Sequence, residues 1–155
     1  MKVGQIYLEK ASNEGAQLFQ AVIEGLDRLA VEQHVLVACP NLARSLDGLP
    51  YVTVGPVVST PVMAYCLVPP VDVAHVHDSK SGQVGLLLRL TRSTPYVLNA
   101  AISTRHPRNP LLASIQQRAQ LSVDTAVVQP HDLVATYRSA IMALSKRPEH
   151  ADRRE

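Results

Sequence analysis

The chain has 155 residues, of which 46% are hydrophobic and 18% are charged, and its formal net charge is +2. Because a domain commonly takes roughly 100 to 200 residues, we expect one domain with a sizeable core and no room for a second. The positive charge is scattered, with no basic run longer than Arg153–Arg154, which argues against a nucleic-acid partner.

Cysteine usage and hydropathy restrict the cellular compartment. Cys39 and Cys66 form no CxxC pair, and no secretory signal begins the sequence, so we expect a reducing, cytoplasmic setting. The longest apolar stretch, residues 57–71, is interrupted by serine, threonine and proline and is too short to cross a bilayer. We therefore expect no transmembrane helix, and peripheral contact with the inner face of the membrane stays open.

The first half of the chain predicts strands that alternate with helices. Val3–Leu8 is a short apolar run typical of a strand, and Glu14–Ala30 carries apolar residues at helical spacing. Two further apolar runs, His34–Cys39 and Tyr51–Val54, are bounded by proline or glycine and predict strands. A short helix is predicted over Thr60–Leu67.

The second half continues the same alternation. Val71–His77 is the fourth predicted strand, and Ser79 is placed to cap a helix that runs to about Leu90. Tyr96–Asn99 is the fifth strand. The remainder predicts a polar loop containing Arg105, a helix over Leu111–Gln120, a sixth strand over Asp124–Val128 and a helix over His131–Leu144. Residues 1–145 form the predicted domain, and residues 146–155 form a polar, flexible tail.

This order of elements predicts the fold class. Strands that are continuously apolar and alternate with helices indicate an α/β domain with a single Rossmann-like, doubly wound, mostly parallel sheet and helices on both faces. Ligands of such sheets bind at the carboxyl ends of the strands. One such end carries His75, His77, Asp78, Ser79 and Lys80, and the next carries residues 99–105.

Residues 75–82 suggest two kinds of binding site, one for a metal ion and one for an anion. His75 and His77 point to the same side of a strand, but the local sequence offers no third or fourth metal ligand, so we expect hydrogen-bonded histidines and no metal. The run Ser79–Gly82 at a helix start would suit an anion; the alternative is a capped helix with Lys80 in solvent. The phosphate-loop and dinucleotide-binding glycine patterns are both absent, and no cofactor is expected.

Three stretches, taken in order, resemble one known family. Residues 71–98, VDVAHVHDSKSGQVGLLLRLTRSTPYVL, combine a DVVHxHD-type strand, a helix of small and leucine residues and a PYVL strand. Residues 14–39, EGAQLFQAVIEGLDRLAVEQHVLVAC, are similar to a GGAExxxxxLAxxLxxxGHEVxVV helix and strand, and residues 108–140 to a helix, a DxVIAVS strand and a further helix. Together they resemble, over about residues 3–145, the N-terminal domain of GT-B-type family 4 glycosyltransferases.

That resemblance implies an acceptor-binding domain. In the family a second Rossmann-like domain binds the nucleotide-sugar through an acidic motif, and this sequence contains neither. We therefore expect no transfer by the chain alone. It would act as an accessory subunit in cell-surface polysaccharide or lipopolysaccharide synthesis, with a sugar or glycolipid acceptor. The expected partner is a separate donor-domain chain or a second copy, contacting the loops at Lys10–Gly15, His77–Gly82 and Asn99–His106.

The sequence also departs from the family at the functional rim. The histidine that follows the fifth strand in many relatives is replaced by Asn99 and the alanines after it, and asparagine cannot carry a proton at neutral pH. No catalytic residue is predicted. The predicted ligand-binding residues are Gly15, His75, His77, Asp78, Ser79, Lys80, Asn99 and Arg105. The alternative function is a noncatalytic, degenerate Rossmann-like module that binds a small ligand or a protein; an independent serine, cysteine or metal enzyme lacks a complete set of residues.

Overall fold

A computed structural model describes residues 1–99, 109–123, 125 and 128–145, in which six strands and six helices alternate. The strands are β1 (Lys2–Tyr7), β2 (Glu32–Val37), β3 (Val52–Val54), β4 (Val73–Val76), β5 (Tyr96–Asn99) and β6 (Leu121–Val123). The helices are α1 (Asn13–Arg28), α2 (Pro40–Leu46), α3 (Pro61–Leu67), α4 (Ser79–Arg92), α5 (Pro110–Arg118) and α6 (Pro130–Ser145).

These strands form one parallel sheet in the order β3-β2-β1-β4-β5-β6. The predicted fold class is confirmed, and every pairing between the described strands is parallel. The order reverses between β1 and β4, which lie side by side with Gln5 opposite His75. That reversal is the switch point of the sheet, where a crevice opens because the helices that follow the two strands lie on opposite faces.

Each face of the sheet is covered by three of the described helices. Because strand side chains alternate between faces, Ile6, Val76 and Leu98 pack toward α3, α4 and α5. Residues an odd number of positions away on the same strands face the other side of the sheet. Val3 and Val73 pack against α1 and α6, and on β2 Val35 packs against α1 and α2. Burial of both faces explains why the strands are continuously apolar in sequence.

Two elements differ from the sequence predictions. The sixth described strand is Leu121–Val123, earlier than the predicted Asp124–Val128, of which residues 124, 126 and 127 lie outside the described residues. Pairing with β5 begins immediately after α5 ends: the Gln120 N–H donates to the Tyr96 carbonyl at 3.0 Å. Helix α2 was not predicted. Its seven residues begin with Pro40. In the sequence this proline marks the end of the preceding predicted strand, but proline is also favoured in the first turn of a helix.

No helix within residues 1–99, 109–123 and 128–145 combines the length and the apolar character needed to cross a bilayer. The predicted flexible tail, residues 146–155, lies outside the described residues, and that prediction stands untested.

Candidate ligand-binding site at the switch point

The candidate site is the crevice at the carboxyl ends of β1 and β4. Strand β1 leads through residues 8–12 into α1, and β4 leads through His77 and Asp78 into α4. The His77 N–H donates to the Ile6 carbonyl at 3.1 Å, which continues the pairing of the two strands into the loops. We call the space between residues 8–12 and 77–78 the switch-point crevice.

Asp78 begins helix α4 by capping it. Its Oδ1 accepts a hydrogen bond from the Ser81 N–H at 2.8 Å, and the Ser81 hydroxyl accepts one from the Asp78 N–H at 3.0 Å. This reciprocal arrangement is a capping box. The prediction that Ser79 caps α4 is therefore wrong: Asp78 is the cap and Ser79 is the first residue inside the helix. Both residue types can cap a helix, and the second oxygen of Asp78 makes contacts that a serine hydroxyl could not add.

The second oxygen of Asp78 joins the two loops of the crevice. Its Oδ2 accepts from the Leu8 N–H at 2.5 Å and from the Glu9 N–H at 3.2 Å. The residue is only 6% exposed. Burial raises the pKa of the Asp78 carboxyl, while the hydrogen bonds from Ser81, Leu8 and Glu9 oppose that rise. Both carboxylate oxygens are thus already used within the protein, although contact of Asp78 with a ligand stays a prediction.

The two histidines face the same side of the sheet, as predicted. Their ring centroids are 4.0 Å apart, and both rings are part of a buried polar cluster that links β1, β2, β4 and α6. Nδ1 of His75 lies 2.8 Å from the Tyr137 hydroxyl, and Nε2 of His77 lies 2.9 Å from Oε1 of Gln5. The Gln5 amide nitrogen in turn donates to Tyr137 at 3.3 Å and to Gln33 at 3.4 Å.

The donor and acceptor chemistry of this cluster determines where the proton of His77 lies. An amide oxygen only accepts, so Nε2 of His77 carries the proton. The Tyr137 hydroxyl, which accepts from Gln5, can either donate to Nδ1 of His75 or accept from it, so this contact is compatible with both tautomers of His75. Within the described residues, Nε2 of His75 is buried without a hydrogen-bond partner.

Nδ1 is the ring nitrogen of His77 that the buried cluster does not use. It makes no hydrogen bond to a described residue, yet it is not one of the buried unpartnered atoms, so it reaches solvent at the edge of a side chain that is 9% exposed. Because the proton is on Nε2, Nδ1 is a hydrogen-bond acceptor. Of the polar groups in the cluster, His77 is thus placed to meet a ligand.

Both imidazoles are neutral at physiological pH. Burial lowers the pKa of His75 to about 3. Burial, followed by the neighbouring His75, holds the pKa of His77 well below its ordinary value of 6.5. The pair therefore supplies hydrogen bonds and no positive charge.

Tyr7 and Gly15 form the other wall of the crevice. A Cβ atom at Gly15 would lie 2.6 Å from the Tyr7 hydroxyl oxygen, so only glycine lets this hydroxyl approach the first turn of α1. Burial, and then the negative charges of Asp78 and Glu9, raise the pKa of Tyr7, so its hydroxyl keeps its proton. Tyr7 also contacts Phe19, whose ring meets His77 edge-on at 4.7 Å.

Sequence reasoning missed Tyr7, and it missed the buried partners Gln5 and Tyr137. A usable signal was present for the two residues of β1. Gln5 and Tyr7 are two apart, so they share one face of the strand, and Gln5 is a polar residue in an otherwise apolar run. Tyr137 carries no comparable local signal, because its hydroxyl reaches the cluster from a helix 132 residues beyond Gln5.

The other predicted site residues lie apart from the crevice or beyond description. Ser79 is half-buried and lines a cavity of about 240 Å³ between α4 and α5, and Lys80 is exposed. Asn99 ends β5, where its side-chain amide donates to the Thr125 hydroxyl at 2.9 Å. Arg105 lies outside the described residues. Ligand binding by these four residues stays a prediction.

A metal site has no support in the described geometry. Among residues 1–99, 109–123, 125 and 128–145, no three histidine, cysteine, aspartate or glutamate side chains are placed to share an ion. Each crevice histidine also commits one ring nitrogen to Tyr137 or Gln5. The expected absence of a metal is left as a prediction.

Solved structures share this fold. Two structures of the glycosyltransferase GlyE from Streptococcus pneumoniae TIGR4, one of them the apo form, match 90% of this chain at 17% identity with TM-scores of 0.56 and 0.58. The glycotransferase of kitacinnamycin matches 96% of it at 20% identity with a TM-score of 0.51. At these identities the likeness concerns the fold. The chain spans about a third of the length of these proteins, 32% and 36% respectively. No protein-family model matches the sequence, and no curated protein does.

Replacing Asp78 by alanine should lower the free energy of unfolding by about 3 kcal/mol. The change removes a helix cap, worth about 1 kcal/mol, and leaves the buried N–H groups of Leu8 and Glu9 unpaired, at about 1 kcal/mol or more each. Ser12→Ala is the matched control: Ser12 caps α1 through the Gly15 N–H alone and is exposed, so about 1 kcal/mol is expected. Urea denaturation measures both. Equal losses for the two variants would contradict the joining role of Asp78.

The histidine pair should make the protein sensitive to acid. Because the pKa of His75 is lowered from 6.5 to about 3 on folding, only the unfolded chain binds this proton as pH falls through that window, and the free energy of unfolding decreases. One such histidine costs about 2 kcal/mol between pH 7 and pH 5.

His75→Phe should therefore make the loss of stability between pH 7 and pH 5 smaller by about 2 kcal/mol, even though the variant is less stable at pH 7. Urea denaturation at several pH values gives this slope. Asp78, whose pKa is raised, acts in the opposite direction but equally in parent and variant. His131→Gln, a change at an exposed side chain, is the control and should leave the slope unchanged. A parent-like slope in His75→Phe would show that this imidazole is already protonated in the folded protein.

Proposed function

We propose that this chain is a glycosyltransferase-like, acceptor-binding domain of the family 4 type, with the switch-point crevice as its binding site for a sugar or glycolipid acceptor. The observation that carries the proposal is the extent of the structural likeness. Nearly the whole chain, 90–96%, matches about a third of larger glycosyltransferases. The ordered sequence motifs over residues 14–39, 71–98 and 108–140 support the same assignment.

The chemistry of the crevice suits a hydroxyl-bearing ligand. His77 offers a neutral acceptor nitrogen whose tautomer is held by Gln5, and Tyr7 offers a hydroxyl that keeps its proton. A sugar hydroxyl both donates and accepts, so it can pair with either group. His77 brings no positive charge at neutral pH, which favours a hydroxyl over an anion at this position.

The chain would not transfer a sugar by itself. Glycosyl transfer requires the donor's reacting carbon to be held against the acceptor oxygen, and the described residues supply one wall of such a cleft. The donor-binding half would come from a separate chain or a second copy that contacts the rim loops. In this arrangement the domain serves as a subunit in the cytoplasmic synthesis of cell-surface polysaccharide or lipopolysaccharide.

A second candidate is a noncatalytic module that binds a small ligand or a protein. This candidate is favoured because most polar groups of the crevice already bond within the protein. Both oxygens of Asp78 and one nitrogen of each histidine make internal hydrogen bonds. Asn99 stands where many relatives carry a histidine, and it cannot act as a base. The two candidates differ in whether the crevice binds a sugar.

His77→Phe should weaken sugar binding about tenfold, since it removes one buried hydrogen bond to the ligand. Binding of a panel of mono- and disaccharides to the labelled chain, followed by NMR, measures the effect. His75→Phe is the matched control: it belongs to the same cluster, but no part of it reaches solvent, so binding should persist. Equal losses in both variants would show that binding depends on the cluster as a whole rather than on Nδ1 of His77.

The parent should also show no turnover of nucleotide-sugars. Steady turnover of a UDP-, GDP- or ADP-sugar that is lost in His77→Phe would contradict the proposal, because the chain would then catalyse alone. Absence of any saccharide binding, with no turnover, would favour the noncatalytic module.

A further inference from the structure

A larger cavity lies at the opposite, amino edge of the sheet. It has a volume of about 490 Å³ and is bounded by the last turns of α4, α5 and α6. This volume is in the range of sites for small molecules. The lining is apolar on the α6 side, at Ala143 and Leu144, and polar on the α4 and α5 side, at Arg89, Arg118 and Gln120.

The polar side of this amino-edge cavity is cationic. Its described lining includes two guanidinium groups and no carboxylate. Both charges also act on the neighbouring Tyr96: burial raises the pKa of this residue, and the positive charges of Arg118 and Arg89 oppose that rise. Arg118 takes part in none of the ion pairs formed within the described residues. The described lining of the cavity therefore carries two positive charges, of which that of Arg118 belongs to none of these ion pairs.

Gln120 adds hydrogen-bond donors to the cationic wall. Its Oε1 accepts the Tyr96 N–H at 2.8 Å, which fixes the orientation of the amide group. The oxygen is therefore used inside the protein and the amide nitrogen is left with two donors. That nitrogen makes no hydrogen bond to a described residue, so it is available to an oxyanion.

A structural role for the two arginines is the competing explanation. Arg89 and Arg118 lie in the last turns of α4 and α5, where a cation offsets the partial negative charge of the helix end. That role requires one cation on each helix. It requires neither a cavity between the helices nor a lining amide with unused donors.

We propose that the amino-edge cavity binds a phosphate group, carried either by a soluble small molecule or by a lipid with a phosphate monoester headgroup. Guanidinium groups pair with phosphate through two parallel hydrogen bonds, and the full negative charge of a phosphate attracts a guanidinium more strongly than the partial negative charge of a helix end does. This site is distinct from the switch-point crevice and does not depend on the function proposed for it.

The test uses the full chain and two probes. Inorganic phosphate tests the soluble source, followed by NMR. Phosphatidylcholine vesicles with and without phosphatidic acid test the lipid source, followed by co-sedimentation. We expect Arg118→Gln to weaken binding of at least one probe by about tenfold, the effect of losing one charge-assisted hydrogen bond. Arg138→Gln removes the same charge from an exposed position on α6 that does not line the cavity, and it should bind like the parent.

Gln120→Glu keeps the acceptor for the Tyr96 N–H and replaces the two donors by a negative oxygen. It should abolish binding while thermal unfolding shows a folded chain. Binding of phosphate or of phosphatidic acid vesicles that depends on Arg118 and Gln120 supports the proposal and identifies the source. The proposal is overturned if neither probe binds, or if Arg138→Gln weakens binding as much as Arg118→Gln.

Discussion

The carboxylate of Asp78 is the constraint on which the crevice depends. One oxygen starts helix α4, and the other accepts the N–H groups of two residues that lie about seventy positions earlier in the chain. A loop after a parallel strand has no ladder partner for its amides, and a buried unpaired N–H is costly. A single buried acceptor removes that cost on both sides of the switch point. His77 belongs to one of the segments that it joins, and Tyr7 and Gly15 flank the other, at the end of β1 and in the first turn of α1.

The buried polar cluster below the crevice fixes which nitrogen of His77 carries the proton. Gln5 accepts from His77 and donates to Tyr137, so the directions of the hydrogen bonds form one consistent set. The same set places an acceptor nitrogen of His77 at the surface. Nε2 of His75 is left buried without a partner, a cost that an apolar core would not carry. A cluster retained at such a cost in an otherwise aliphatic core favours a functional role for this end of the sheet.

The sequence predicts the fold well and the site only in part, for a physical reason. Apolar runs and helical spacing are local signals, and they were sufficient for the parallel sheet and for both histidines on one face. The local sequence could not decide whether Asp78 or Ser79 caps α4, because both residue types can cap a helix. The Leu8 N–H, distant in sequence, bonds the second oxygen of Asp78 and so favours Asp78 at this position. Tyr137 reaches His75 across 62 residues, and only the packing of α6 on the sheet brings them together. The start of β6 was predicted too late in the sequence, because further apolar residues follow Val123, at positions 126–128, and gave the stronger strand signal.

The two edges of the sheet offer different chemistry. At the carboxyl edge the groups proposed to meet a ligand, His77 and Tyr7, are neutral, whereas the amino edge holds two arginines around a cavity. A ligand with both hydroxyl and phosphate groups would not span them, because the sheet lies between. We therefore treat them as separate sites, one tied to the proposed glycosyltransferase-like function and one independent of it.

Amide hydrogen exchange at Leu8 and Glu9 tests most directly whether the Asp78 carboxylate holds the crevice in one geometry. If it does, these two amides exchange slowly, close to the rate of Ile6 within β1, because they open only when α4 or β1 is disrupted. If they instead exchange as fast as the amide of Gly48, in an exposed turn, the two loops are not joined by this carboxylate and the account of the crevice is contradicted.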